Sequence, residues 1–186
     1  MPGKKKARVG LFHKIGFKIT MLVMLTAVVS SVICMAIMVP KSREEVSKAT
    51  QNGIQDVVEA YSARVESSVS SGMKMTYDMY ALLLKEANLT GVSSSYAYIV
   101  NSEGNMLYHP TESKVGQAVE NTVVKGLVGQ IAGGTIPDPA VVEYEYKGDT
   151  KYAGYKVLSD KSILVVSADE KEVLVGVDSI SNVSIK

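Results

Sequence analysis

The chain has 186 residues and a formal net charge of +1, room for one ordinary domain or for a small domain plus an anchor. A single Cys and two His argue against an internal disulfide framework and against a typical zinc site of about four ligands. Residues 1–18 hold six basic side chains and no acid, leaving 14 basic against 19 acidic residues elsewhere. The part that folds is therefore mildly acidic, which argues against a nucleic-acid partner.

Residues 19–39 form a run of 21 without a charge, its polar members being Thr20, Thr26, Ser30, Ser31 and Cys34. As a helix it spans roughly 32 Å, the thickness of a bilayer core of roughly 30 Å. It exceeds the apolar region of about 7–15 residues found in a cleaved signal peptide. Ser31, Val32 and Ile33 do not form a lipobox before Cys34. The basic tail places residues 1–18 in the cytoplasm by the positive-inside rule, and residues 41–186 outside the cell.

Residues 41–87 read as one long helix. Val46, Ile54, Val58, Tyr61, Val65, Val69, Met73, Tyr77, Tyr80 and Leu84 recur at helical spacing. Serines around Gly72 mark a place for a bend or break. The stripe is too long for one small sheet, so parallel homodimeric pairing is expected along a stalk over residues 41–65.

From residue 95 the period changes. Strands are expected at 96–100, 106–109, 141–147, 151–158 and 162–168, with a helix over 116–131 and a hairpin turn at Gly148-Asp149. A last helix is expected over 169–184, where Ser167 and Glu170 have capping-box spacing. The order predicts an α+β domain: an antiparallel sheet of about five strands over residues 95–169, with helices on one face.

Alternation puts Tyr96 with Tyr98, and Tyr144 with Tyr146, on shared sheet faces, and Glu143 and Glu145 opposite, toward solvent. Tyrosine joins an apolar ring to a hydroxyl, suiting either a small polar ligand or plain strand packing. His109 ends a strand before Pro110, where its imidazole either donates to a carboxylate or satisfies local backbone groups. Asp169 either receives a ligand amine or caps the last helix. No Gly-x-Ser-x-Gly, phosphate loop or metal cluster is present, so neither an enzyme nor a cofactor is indicated.

The run from Tyr98 through Asn101-Ser-Glu-Gly104 to His109-Pro110, followed by Val115-Gly116, resembles the core of a Cache domain. Tyr144-Glu-Tyr-Lys-Gly148, then Lys151 and Tyr155 on the next strand, is similar to that family's downstream hairpin. Residues 163–169 resemble its closing strand, with Ser162 or Ile163 where Trp is frequent. The resemblance covers roughly residues 41–186 in the single-module form. It implies an extracytoplasmic, PAS-like ligand sensor of a bacterial methyl-accepting chemotaxis receptor. The sensor of a histidine kinase or diguanylate cyclase, and an anchored structural module without ligand, remain open alternatives. It also implies Tyr96, Tyr98, His109, Tyr144, Tyr146, Lys151, Tyr155, Ser167 and Asp169 as ligand-binding candidates. His109 and Lys151 favour a carboxylate, bound between the sheet and residues 111–139. Topology has a direct check. Cysteines placed in residues 41–186 are expected to react with a membrane-impermeant reagent on intact cells, and those placed in 1–18 to stay unlabelled.

Overall fold

The computed structural model describes residues 15–175. Most of the basic tail, and the expected last helix beyond residue 175, lie outside the described residues. The chain divides into two compact units, residues 1–42 and 43–186.

Helix α1 runs Ile15–Ser70 and contains Pro40. Its apolar stretch in the first unit is long and apolar enough to cross a membrane. Leu22, Val29, Val32 and Ile37 are all exposed there. A helix apolar on all sides suits lipid better than water.

In the second unit α1 ends at a Schellman motif. Gly72 takes φ +79°, Met73 N–H bonds Ser68 C=O, and Gly72 N–H bonds Val69 C=O. Helix α2 (Tyr77–Leu84) starts afresh, its N-cap Thr76 accepting from Met79 N–H. The long helix foreseen over 41–87 is thus two helices, because glycine allows the left-handed residue that closes the first.

Strands β1 (Tyr96–Val100), β2 (Met106–Tyr108), β3 (Ala140–Tyr146), β4 (Asp149–Val157) and β5 (Ile163–Asp169) form one antiparallel sheet in the order β2-β1-β5-β4-β3. The β3–β4 turn centres on Lys147 (φ 54°) and Gly148 (φ 87°), pairing Tyr146 with Asp149. The hairpin is a two-residue turn with both φ positive, one residue earlier than the Gly-Asp step suggested.

One sheet face packs on the helices. Ile54, Val58 and Val65 of α1, with Tyr80 and Leu84 of α2, meet Ala97, Ile99, Tyr152, Leu164, Val166 and Ala168. From Ile54 to Val65 the apolar stripe is therefore engaged by the chain's own sheet, and this part of the expected 41–65 pairing surface is already covered. The approach is close. A Cβ on Gly154 would stand 2.3 Å from Ile54 Cγ2.

The opposite face packs under α3 (Thr122–Ala132), through Val124, Leu127 and Ile131. The helix begins later than the expected residue 116. Gly116 takes φ +78°, and Asn121 Oδ1 caps α3 by accepting from Val123 and Val124 N–H. Residues 116–121 instead run along β2. Met106 N–H bonds Gln117 C=O, and Val119 N–H bonds Gly104 C=O.

Residues 170–175 are helical. Glu172 accepts from Ser93 N–H (2.6 Å), Ser93 Oγ (2.7 Å) and Ser94 N–H (2.8 Å). These bonds from Ser94 and Ser93 pull its pKa down to about 2. The helix start is thereby tied to the loop before β1.

Substituting Gly154→Ala is expected to cost about 1–3 kcal/mol through overpacking. Urea unfolding of the full chain in micelles reads it. Ile54→Ala removes the clashing methyl, so the double variant is expected to lose less than the sum of the two singles.

Candidate functional site

The pairing registers put Tyr96, Tyr98, Tyr144, Tyr146, Lys151, Tyr155, Ser167 and Asp169 on one face, the face under α3. His109 joins them because β2 is bulged. Val100 pairs with Met106 and Ile99 with Tyr108, so Leu107 is an extra residue. The bulge sends Tyr108 to the helix side and His109 to the side of Tyr98, with ring centroids 5.9 Å apart. Without it the two side chains would exchange faces.

A cavity of about 300 Å³ lies on this face. Tyr96, Tyr98, His109, Tyr144 and Tyr146 line it. Lys114, Gln117, Glu120 and Asn121 form its other wall. That wall was missed at residue level, because 116–121 reads as helix. The Asn121-Thr122 step ahead of an apolar run was the cap signal that could have exposed it.

The remaining candidates stand elsewhere. Lys151 Nζ is 2.5 Å from Asp169 Oδ1, so both charges are engaged with each other. Burial pushes the Lys151 pKa down, but the hydrogen bond and charge of Asp169 raise it on balance. Tyr155 is packed in the core under α3. Ser167 is buried within β5, where Oγ donates to Tyr152 C=O (3.2 Å). It therefore does not form the capping box expected with Glu170.

Hydrogen bonding fixes what each cavity group can still offer. Ser167 has one proton and donates it to Tyr152, so Tyr144 O–H donates to Ser167 Oγ (3.3 Å) and its oxygen is left as an acceptor. Tyr98 O accepts from Asn121 Nδ2 (3.3 Å), leaving its O–H as a donor. Burial raises the Tyr98 pKa well above the ordinary value, so that proton stays in place. Tyr146 O–H donates to Glu120 Oε2, joining β3 to the far wall. This bond, with nearby Lys147, lowers the Glu120 pKa.

His109 Nδ1 accepts from Thr111 N–H (2.8 Å), so the neutral ring carries its proton on Nε2. The ring lies against those of Tyr96 (5.2 Å) and Tyr98 (5.9 Å), which are themselves 6.0 Å apart. Burial and the Lys114 charge push its pKa below the usual value.

No protein-family model matches the chain, and no curated protein does. Solved structures similar to it include the ligand-binding domain of Mlp24 with asparagine, 18% identical at TM-score 0.40, over 54% of this chain and 38% of that one. The periplasmic sensory domain of the Campylobacter jejuni chemoreceptor Tlp1 is 21% identical at TM-score 0.42, over 53% and 36%. The ligand-binding domain of the Pseudomonas aeruginosa amino acid chemoreceptor PctC, in complex with GABA, is 21% identical at TM-score 0.34, over 50% and 38%. Each alignment spans under two fifths of the solved chain.

The His109 shift has a measurable sign. A histidine held neutral in the fold binds fewer protons than in the unfolded chain. The stability this contributes is present above the unfolded value of about 6.5 and lost as pH falls through the lower folded value. The melting temperature of the full chain is expected to drop between pH 7 and pH 5, and the drop to be smaller in His109→Gln.

Proposed function

We propose that the chain is the sensory part of a membrane-anchored receptor of the chemoreceptor class, which takes a small organic acid in the cavity between the sheet and residues 114–121. The supporting observation is the cavity itself. About 300 Å³ stays unfilled over a sheet face where a purely structural module would place side chains. That volume lies at the lower end of the range of about 300–1,000 Å³ typical of ligand pockets, which favours a small molecule.

Tyr96 and Tyr98 hydroxyls, His109 Nε2–H and the Lys114 ammonium are the groups that would hold a carboxylate. Tyr144 would accept from a ligand hydroxyl. The Ser167 and Lys151–Asp169 contacts then act behind the site, linking it to the helix that starts at Glu170. A ligand shifts the receptor only by its different affinity for two arrangements of this link. In this reading the basic tail is cytoplasmic and the sensor outside. A homodimer remains part of the proposal, through surfaces other than the 54–65 stripe.

Calorimetry on the full chain in nanodiscs, against a panel of small organic acids and amino acids, tests the reading. A charge-assisted hydrogen bond contributes about 1.5–3 kcal/mol, so Lys114→Gln is expected to weaken an organic acid by roughly 10- to 150-fold. Tyr98→Phe is expected to weaken it by less. Absence of binding across the panel, or unchanged affinity in both variants, would overturn the proposal.

One observation favours a second reading. Glu120 lines the same cavity and can face an ammonium, so an amino acid is the alternative ligand. Glu120→Gln would then weaken amino acids and leave organic acids unchanged.

A further inference from the structure

A second cavity, of about 590 Å³, opens beside the first. The two share only Tyr96, His109 and Lys114 in their linings. The second is bounded by Tyr77 and Leu84 of α2, by residues from 85 to 95, and by residues from 108 to 114. Lys85 and Lys114 line it, and no carboxylate does. Asp78 and Glu86, acids close in sequence, are not part of its wall.

Several of its donors are free. Among the described residues neither lysine forms an ion pair, although the Lys114 charge reaches Glu120 from the side of the first cavity. The Tyr77 and Tyr108 rings lie 5.7 Å apart. Their hydroxyls and the Asn88 side-chain amide make no hydrogen bond among the described residues. Ser93 is occupied by Glu172, whereas Ser95 Oγ accepts from Leu89 N–H and keeps its own proton to donate. The free groups thus include two ammoniums, an amide and several hydroxyls around a partly enclosed space. Carboxylate and phosphate oxygens are acceptors that match such a set, and charge-assisted bonds to them are the strong ones. A cation would meet two positive charges there with no compensating acid.

We propose that this groove is a second binding site, separate from the first cavity, for a small oxyanion of charge about −2: phosphate or a short dicarboxylate. Lys85 and Asn88 line this site and not the first cavity, while Lys114 is shared.

The test uses the full chain in nanodiscs, titrated calorimetrically with inorganic phosphate and with malonate, each against sodium chloride of equal ionic strength. Saturable binding of at least one probe is expected. Phosphate alone, malonate alone, or both would name the oxyanion source. Lys85→Glu is expected to weaken binding by tenfold or more, Lys85→Arg to retain it, and Asn88→Ala to weaken it by less. Tyr146→Phe, which alters only the first cavity, is expected to leave it unchanged. The proposal is overturned if neither probe binds saturably, or if Lys85→Glu and Asn88→Ala both leave binding intact. It is also overturned if Tyr146→Phe abolishes binding, since the anion would then occupy the first cavity. The first cavity is judged apart from this, by titrations with monocarboxylic acids, which Lys85→Glu is expected to leave unaltered.

Discussion

Burial of β5 on both faces is the constraint on which the rest of this domain depends. Its residues from Ile163 to Ala168 are all buried. Leu164, Val166 and Ala168 point to the helices, while Ile163, Val165 and Ser167 point the other way. An antiparallel sheet often leaves one face to water, but a central strand this apolar requires cover on both. The long helix supplies one layer, drawn close by the missing side chain at Gly154. α3 supplies the other with only 11 residues. Along the paired rows the face changes character. Val100, Ile163 and Val157 form an apolar row, and Tyr144, Lys151 and Asp169 a polar one at the other end. The cavity belongs to the polar end, where hydroxyls rather than methyls meet the wall made by 114–121.

The faces were legible in the sequence because strand alternation is strict. Tyr96 with Tyr98, Tyr144 with Tyr146, and the outward Glu143 and Glu145 follow from period two alone. Lys151 and Asp169 as an ion pair required the register of two neighbouring strands, which no single stretch encodes. The β2 bulge left no mark, since Met106-Leu-Tyr-His109 is uniformly large, and any of its residues could be the extra one. Residues 116–121 were misread for a related reason. Val119 and Val123 sit four apart, so hydrophobic spacing runs through the true helix start, and the cap at Asn121 is a local signal that periodicity overlooks. The break at Gly72 was visible only as a weakness, because serines neither force a helix nor end one. The Schellman closure depends on one glycine adopting positive φ.

These errors share a physical origin. Apolar spacing reports which side of an element is buried, and it does so well here. It does not report where the backbone leaves regular geometry, and the site is assembled at such departures. The bulge delivers His109, the non-helical 116–121 segment delivers Gln117 and Glu120, and the cap delivers Asn121. A sequence pattern locates the floor of this cavity and not its wall.

The polarity of the floor is then set by a chain of forced choices. Ser167 gives its proton to the Tyr152 carbonyl, so Tyr144 must donate to Ser167 and can only accept from the cavity. Asn121 donates to Tyr98, so Tyr98 can only donate. Thr111 donates to His109 Nδ1, so the neutral ring can only donate, through Nε2. Three neighbouring groups of ambiguous chemistry thus acquire fixed signs from partners outside the cavity. Buried hydrogen-bond networks gain specificity when every member is satisfied in one way only. For the hydroxy acids among the proposed ligands, the carboxylate would meet donors at Tyr98 and His109, and the hydroxyl would meet an acceptor at Tyr144. Turning such a ligand end for end would set its carboxylate against the Tyr144 oxygen, acceptor against acceptor, so on the proposed reading the fixed signs of the floor favour one orientation.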